Sequence, residues 1–336
     1  YLKDLGEHVD TIHHIDSYSD KEDHLDSLDS FKNYVHSNNL LDKGTKVVYA
    51  SGLEGKKEIH QYIEDNFHVL GVPLTEFDNI SNLNKIDDSL LSDKIKIPEM
   101  SDEFNYKFLS KNYYSSGGMG VGNNLTLSST YFQKFIPGKT FSISFIASSS
   151  NPTILGFNQL FTVKNNIKFP FLHAGCMTID FDQPYRGYIE DWVSKISKYF
   201  KLTGYISIDF KIYNKSIEIL DINPRLSGSY RLYTRKYNNL MSNHMMLSNT
   251  LDIKSMHYHS YIILYAKNDI KVDDKIQTLP DVSDIPDIGD VIKKDMPIIT
   301  LNIKADNQDD LYKIIKRRIK SAMKIIDCYN TQLEYE

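Results

Sequence analysis

Apolar and polar positions change period several times along this chain. Val9–Ile15 alternates as a short strand would and stops at Asp16 and a polar turn. Lys46–Ala50 is an apolar run closed by Ser51-Gly52, Glu58–Phe67 repeats at helical spacing, and Val69–Leu70 precedes the next turn. This βα pattern predicts a small open α/β domain over residues 1–78. A parallel strand in such a domain normally follows an earlier strand and helix, and Tyr1–Gly6 reads as the tail of that helix. The given sequence is therefore expected to begin downstream of the natural start, with its first βα unit incomplete.

The polar stretch Asp78–Ser101 reads as a linker, helical in tendency over Leu83–Ser92 and ended at Ile95–Pro98. Residues 79–103 are assigned to it. From Phe104 the pattern turns strand-rich. Lys107–Lys111, Thr126–Phe135, Phe141–Ala147 and Thr153–Thr162 carry β-branched and aromatic residues between turns. The helix Tyr188–Phe200 follows, then the strands Tyr205–Tyr213 and Ser216–Ile222, joined at Asn214-Lys215 as a hairpin. Residues 104–250 form an α+β core on this reading. Residues 251–336 complete it with the strand Tyr258–Ala266, the loop Pro280–Pro297, the strand Ile298–Lys304 and a closing helix. Leu311, Ile314, Ile315, Ile319, Met323 and Ile326 mark one face of that helix.

Composition removes several function classes. A chain of 336 residues with 41% hydrophobic and 25% charged residues suits two or three soluble domains. The net charge of −5 provides no basic field for nucleic acid or an anionic membrane. Cys176 and Cys328 lie far apart, which implies neither a disulfide framework nor a zinc site. No stretch reaches the roughly 18 apolar residues of a membrane span, and the amino terminus lacks a signal-peptide core. A soluble, cytoplasmic protein is expected.

The candidate chemistry lies between Lys111 and Arg225. The loop Ser115-Ser116-Gly117-Gly118-Met119-Gly120-Val121-Gly122 fails the dinucleotide fingerprint, because Asn123 stands where glycine is required and a strand follows instead of a helix. It fails the P-loop as well, for no Gly-Lys-Ser/Thr ends it. What remains is a strand-to-strand connection whose amides, at Ser116, Gly117 and Gly118, could fold over phosphates, with Lys111 just ahead; alone it also reads as a mobile hairpin. The strand Tyr131–Ile136 could present the Lys134 carbonyl, the Ile136 amide and the Gln133 side chain to an adenine edge.

Asp209 and Asp221 sit amid apolar residues on strands expected to pair, where two carboxylates repel unless a cation lies between them. Magnesium, or manganese, takes such hard oxygen ligands, and Asn223 adds a neutral one. Pro224 fixes the turn before Arg225, whose planar fork suits carboxylate or phosphate. Arg231 and Arg235 cluster with it.

In this order the residues resemble the ATP-grasp superfamily. The resemblance implies an ATP-grasp fold with an amino-terminal open α/β domain, binding ATP and Mg2+ (or Mn2+). It implies that Lys111, Ser116, Gly117, Gly118, Gln133, Lys134 and Ile136 meet the nucleotide, with a looser match for an earlier family lysine at Lys85. Asp209, Asp221 and Asn223 correspond to the metal ligands, and Arg225 joins Lys111 in catalysis. Thr140 stands where many ATP-grasp ligases have glutamate, and both metal acids are Asp where Glu is common. The segments VVYASGLE, LGFNQLF, FLHAGCM and PDIGDVIKKDMPIITLNIKA are similar to ATP-grasp proteins of methanofuran- and tetrahydromethanopterin-type C1 cofactor synthesis, tyramine-glutamate ligase among them.

What the resemblance implies is an ADP-forming carboxylate-amine ligase that works through an acylphosphate. Its partners would be small-molecule acid and amine substrates, with neither nucleic acid nor membrane; a monomer and a homodimer both stay open. Another ATP-grasp enzyme, such as a carboxylase or small-molecule kinase, or a nucleotide-binding module without turnover, is the alternative. His13-His14 and His257-x-His259 lack carboxylate partners in sequence and read as surface or strand residues. The basic helix Lys313–Lys324 reads as a solvated face, and Cys176 as a buried thiol.

Overall fold

The computed structural model describes residues 27–41, 45–103, 106–113, 115–122, 130–148, 151–181, 184–245 and 250–333. The expected strand Val9–Ile15 and the pair His13-His14 lie outside them. At the amino-terminal end, helices Leu28–Ser37, Lys57–Asn66 and Leu74–Ser81 pack around two parallel strands, Lys46–Val47 and His68–Val69. Phe31, Val35, Ile59, Ile63, Leu74 and Phe77 bury their apolar faces together there. The hydrophobic pattern above does not include Leu28–Ser37. Its signals are the Ser27 hydroxyl, which accepts the Ser30 amide as an N-cap, and the i, i+4 pair Phe31 and Val35.

The segment expected as a linker belongs to the core. Ile80, Leu83, Ile86 and Ile95 are buried in the main cluster, and Ile95–Lys96 pairs parallel with the strand Ser216–Asn223. The expected helix Leu83–Ser92 is instead two tight 3-10 turns, capped by the side chains of Asn82 and Asp87. These caps offer the backbone short-range partners and end each turn before it can lengthen.

The main body is a ten-stranded sheet. Its principal path runs Val282–Ser283, Pro297–Ala305, Tyr258–Tyr265, His173–Ile179, Thr153–Val163, Thr140–Ala147, Gly204–Tyr213, Ser216–Asn223 and Ile95–Lys96. The hairpin between Gly204–Tyr213 and Ser216–Asn223 turns at Asn214 and Lys215, both at positive φ (48° and 66°), the twist that matches paired strands. Helix Tyr185–Tyr199 packs Ile189, Trp192, Val193 and Ile196 onto one face of this sheet. Burying each such side chain contributes about 1.5–3 kcal/mol. Helix Gln308–Ala322 packs Leu311, Ile315, Ile319 and Ala322 into a second cluster, with Ile262, Leu301 and Ile303 of the sheet. It is capped by Asn307, which accepts the Asp310 amide. Ile326 is buried beyond its end, but Met323, expected on the apolar face, is 41% exposed, and Ala322 takes the inward position.

A smaller antiparallel sheet of Met100–Ser101, Thr130–Lys134, Phe108–Asn112 and Val121–Gly122 stands apart from the large one. Alternation along Gly204–Tyr213 sends Ile206, Ile208 and Phe210 to the helix-covered core. Ser207, Asp209 and Lys211 face the opposite way, into a cavity. No described helix is long and apolar enough to cross a membrane.

Candidate active site

The cavity has a volume of about 720 Å³ and is lined from both sheets and from the loop after Lys46–Val47. It brings together Lys111, Ser116, Gly117, Gly118, Gln133, Lys134, Ile136, Asp209, Asp221, Asn223 and Arg225. Lys85 does not join them. It sits on the Leu83–Lys85 turn and donates to Asn79 Oδ1, a local bond that holds it away from the cavity.

Asp209 and Asp221 are direct partners across the hairpin. A β-bulge creates this pairing, since Phe210 partners Ile219 while Asp209 partners Asp221, leaving Leu220 as the extra residue. Ile217 and Ile219 face the core before the bulge and Ile222 after it, so the inserted residue turns Asp221 and Asn223 outward together. Burial and the neighbouring Asp221 push Asp209 up to about 7, against the opposing pull of Arg225 and Lys111. Burial also raises Asp221, opposed by Lys111 and Arg225. Two carboxylates and an amide fit a hard divalent cation that keeps further positions for phosphate oxygens and water. Their mutual repulsion is what such a cation would relieve.

Lys111 Nζ donates to the Leu220 carbonyl at 3.0 Å and to Gln133 Oε1 at 3.2 Å. The bulge supplies that carbonyl. Burial works against the charge of Lys111, but Tyr131, Asp221 and Asp209 outweigh it and raise its pKa. Gln133 Nε2 is buried without a partner among the described residues, a donor facing a cavity that an adenine or phosphate acceptor could satisfy. The strand Thr130–Lys134 ends two residues before Ile136, and the Ile136 carbonyl accepts Lys211 Nζ at 2.6 Å. Burial lowers Lys211 to about 8. Lys211 is a lining cation that the sequence reading does not contain; its signal is the alternation Ser207, Asp209, Lys211 on one strand face.

The glycine loop joins Phe108–Asn112 to Val121–Gly122 and rests on the segment before His173–Ile179. Gly117 and Gly118 have φ of 63° and 76°, and a Cβ on Gly118 would lie 2.0 Å from the Phe171 carbonyl oxygen. The His173 amide donates to the Gly117 carbonyl at 2.8 Å. The loop is thus docked, with only glycine fitting its closest approach.

Arg225 is 8% exposed, and its Nε donates to Glu54 Oε1 at 3.0 Å. Glu54 is the missed partner, for nothing in its local sequence marks it. Arg231 also lines the cavity, but its guanidinium grips Asp284 through Nη1 and Nη2 at 3.0–3.2 Å. The cavity also holds His173 and Tyr261, bonded Nε2 to Oη at 2.8 Å, and Cys176, whose thiol burial pushes up to about 12. His257 pairs with Asp306 away from this cavity.

Residues 81–229 match the ATP-grasp domain family. The fold over these residues is that of an ATP-grasp domain. The chain is 28% identical over 293 residues to the uncharacterized protein MJ0776 of Methanocaldococcus jannaschii, covering 80% of this chain and 69% of that protein. Its ATP-grasp fold is similar to biotin carboxylase of Campylobacter jejuni at a TM-score of 0.65 and 12% identity, over 93% of this chain and 81% of that one. It is also similar to an L-amino acid ligase of Bacillus licheniformis at a TM-score of 0.64 and 11% identity, over 92% and 84%. At these identities the two solved structures bear on the fold alone.

Proposed function

We propose that this chain is an ATP-dependent carboxylate-amine ligase that forms an amide through an acylphosphate. The acid would be a small amino acid such as glutamate and the nucleophile an aromatic amine such as tyramine, in synthesis of a methanofuran- or tetrahydromethanopterin-type cofactor. The observation that carries the reading is the convergence of the Asp209–Asp221 pair, Lys111 and Arg225 on one cavity. The substrate and pathway rest on the sequence resemblance.

A carboxylate is a poor electrophile, and phosphorylation by the γ-phosphoryl group of ATP makes it one. Asp209, Asp221 and Asn223 would hold magnesium, which when bound neutralises phosphate charge. Lys111 would bind a phosphate oxygen in place of the Leu220 carbonyl it now holds. Gln133, Lys134 and Ile136 would receive the adenine. Arg225, oriented by Glu54, would align the acid and its acylphosphate. The docked loop at Ser116–Gly118 would exclude water from that intermediate.

The test is to incubate the protein with ATP, magnesium, glutamate and tyramine and to search by mass spectrometry for a γ-glutamyl amide, beside a screen of acid and amine pairs for ADP release. ADP release that requires both an acid and an amine supports the ligase. Release that requires bicarbonate, or nucleotide binding with no turnover on any pair, overturns it.

A further inference from the structure

An amine that attacks an acylphosphate must lose a proton, and the residues assigned so far include no group free to take it. Asp209 and Asp221 are assigned to the metal, and Glu54 and Asp284 are paired with arginines. Among the described cavity-lining residues His173 is the one imidazole. It lies on the strand His173–Ile179, beside Tyr261 on the antiparallel strand Tyr258–Tyr265, with 2.8 Å between Nε2 and Oη.

This pair touches both halves of the proposed machinery. The His173 amide holds the Gly117 carbonyl of the glycine loop. Gly228, three residues after Arg225, faces the pair from the other side: a Cβ there would stand 2.2 Å from Tyr261 Oη and 3.8 Å from His173 Nε2. A side chain at 228 would cover the hydroxyl, and glycine leaves it at the cavity wall. Arg231 Cζ lies 5.6 Å from the centre of the Tyr261 ring, where a cation stabilises charge developing on the phenol.

We propose that Tyr261 and His173 form the proton acceptor for the attacking amine, Tyr261 Oη taking the N–H proton as its own passes to His173 Nε2. The proposal rests on the ligase reading. The amine lone pair attacks the acyl carbon and the C–N bond forms; the C–O bond to phosphorus breaks, and phosphate leaves with that electron pair. The amine proton then resides on the pair and passes to the departing phosphate. Burial holds His173 at about 4, so its imidazole is neutral at neutral pH and holds the proton only in passing before the departing phosphate takes it. Among the described residues, Cys176 is hydrogen-bonded to Tyr261, Arg231 stands over the Tyr261 ring and is itself paired with Asp284, and the Tyr265 hydroxyl donates to the His173 carbonyl.

The experiment compares the full chain with His173→Gln and Tyr261→Phe, using ATP, magnesium, glutamate and either tyramine or hydroxylamine. Hydroxylamine is an unprotonated nucleophile at neutral pH and traps an acylphosphate with little need of a base. The expected result is an amide rate lowered at least about 10²-fold in both variants, recovering as pH rises, with hydroxamate formation unchanged. Tyr261→Phe keeps the ring under Arg231 and so carries the test if His173→Gln fails to fold. Unchanged amide formation overturns the proposal, and so does an equal loss of amide and hydroxamate. Wild-type protein that yields neither product overturns the ligase reading itself.

Discussion

Glu54 and Arg225 form a buried ion pair 171 residues apart in sequence, with both side chains 9% exposed. Glu54 Oε2 also accepts the Gly52 amide at 2.6 Å, so the carboxylate is fixed by its own loop before it meets the arginine. Tyr49 reinforces the junction by donating to the carbonyls of Val72 and Pro224 at 2.9 and 3.0 Å. The amino-terminal layer thereby sets the aim of the residue expected to align the acid.

Glu54→Ala is therefore expected to destabilise the protein by about 1–3 kcal/mol, because it leaves a buried guanidinium without its partner. Amide formation should fall while nucleotide affinity persists. Thermal unfolding and nucleotide titration check the two parts. Arg225→Lys should behave alike in catalysis, since lysine keeps the charge and loses the fork. Full amide formation by either variant would detach this pair from the reaction.

The acidic pair makes a prediction for the metal-free protein. Asp209 moves from 3.8 to about 7 on folding, so the folded chain binds more protons than the unfolded chain across that interval. Stability should fall as pH rises from about 4 to about 7, the reverse of a salt-bridged carboxylate. Magnesium should offset the loss at neutral pH. Urea melts at several pH values, with and without the ion, measure both effects.

Asp221→Asn removes one of the two repelling charges. In the metal-free protein this should stabilise by on the order of 1–2 kcal/mol, raising Tm by roughly 2–8 °C, while magnesium-dependent turnover is lost. Normal turnover in both Asp221→Asn and Asp209→Asn would refute the metal assignment.

Lys111→Ala should weaken ATP binding by roughly 1.5–3 kcal/mol, the worth of one charge-assisted contact. Calorimetric titration reads this directly. A folded variant that binds ATP as tightly as the wild type would place the lysine outside the phosphate site.

Gly118→Ala tests the docked loop. Its Cβ would approach the Phe171 carbonyl to 2.0 Å at a φ of 76°, so the loop must leave its seat. Gly117→Ala, whose Cβ meets nothing within 4 Å, is the milder control. ADP release without amide should rise in Gly118→Ala as water reaches the intermediate. Equal behaviour of the two variants would show that docking of the loop has no part in protecting it.

Much of this protein was determined by its sequence alone. The alternation of Ser207, Asp209 and Lys211 with Ile206, Ile208 and Phe210 is a local property of a strand with one face in the core, and the Asn214-Lys215 turn is equally local. The order of lysine, glycine loop, hinge strand and Asp-Asn-Pro-Arg signature carried the family resemblance without any contact being known. The layer from Ile80 to Ile95 was illegible because its apolar residues are widely spaced among polar ones, and only the strand Ser216–Asn223 gives Ile95 something to pair with.

The tertiary structure decided the rest, and the hairpin shows why. Strict alternation would put Asp221 on the same face as Ile217 and Ile219; the bulge at Leu220 turns it toward Asp209 and frees the carbonyl that Lys111 takes. Which residue is inserted depends on the partner strand, so the sequence of one strand cannot state it. Glu54 against Arg225, and His173 against Tyr261, are likewise long-range meetings. Each is fixed by how sheets and loops close over the cavity, where the cost of burying a charge or a polar group selects a partner that no local pattern names.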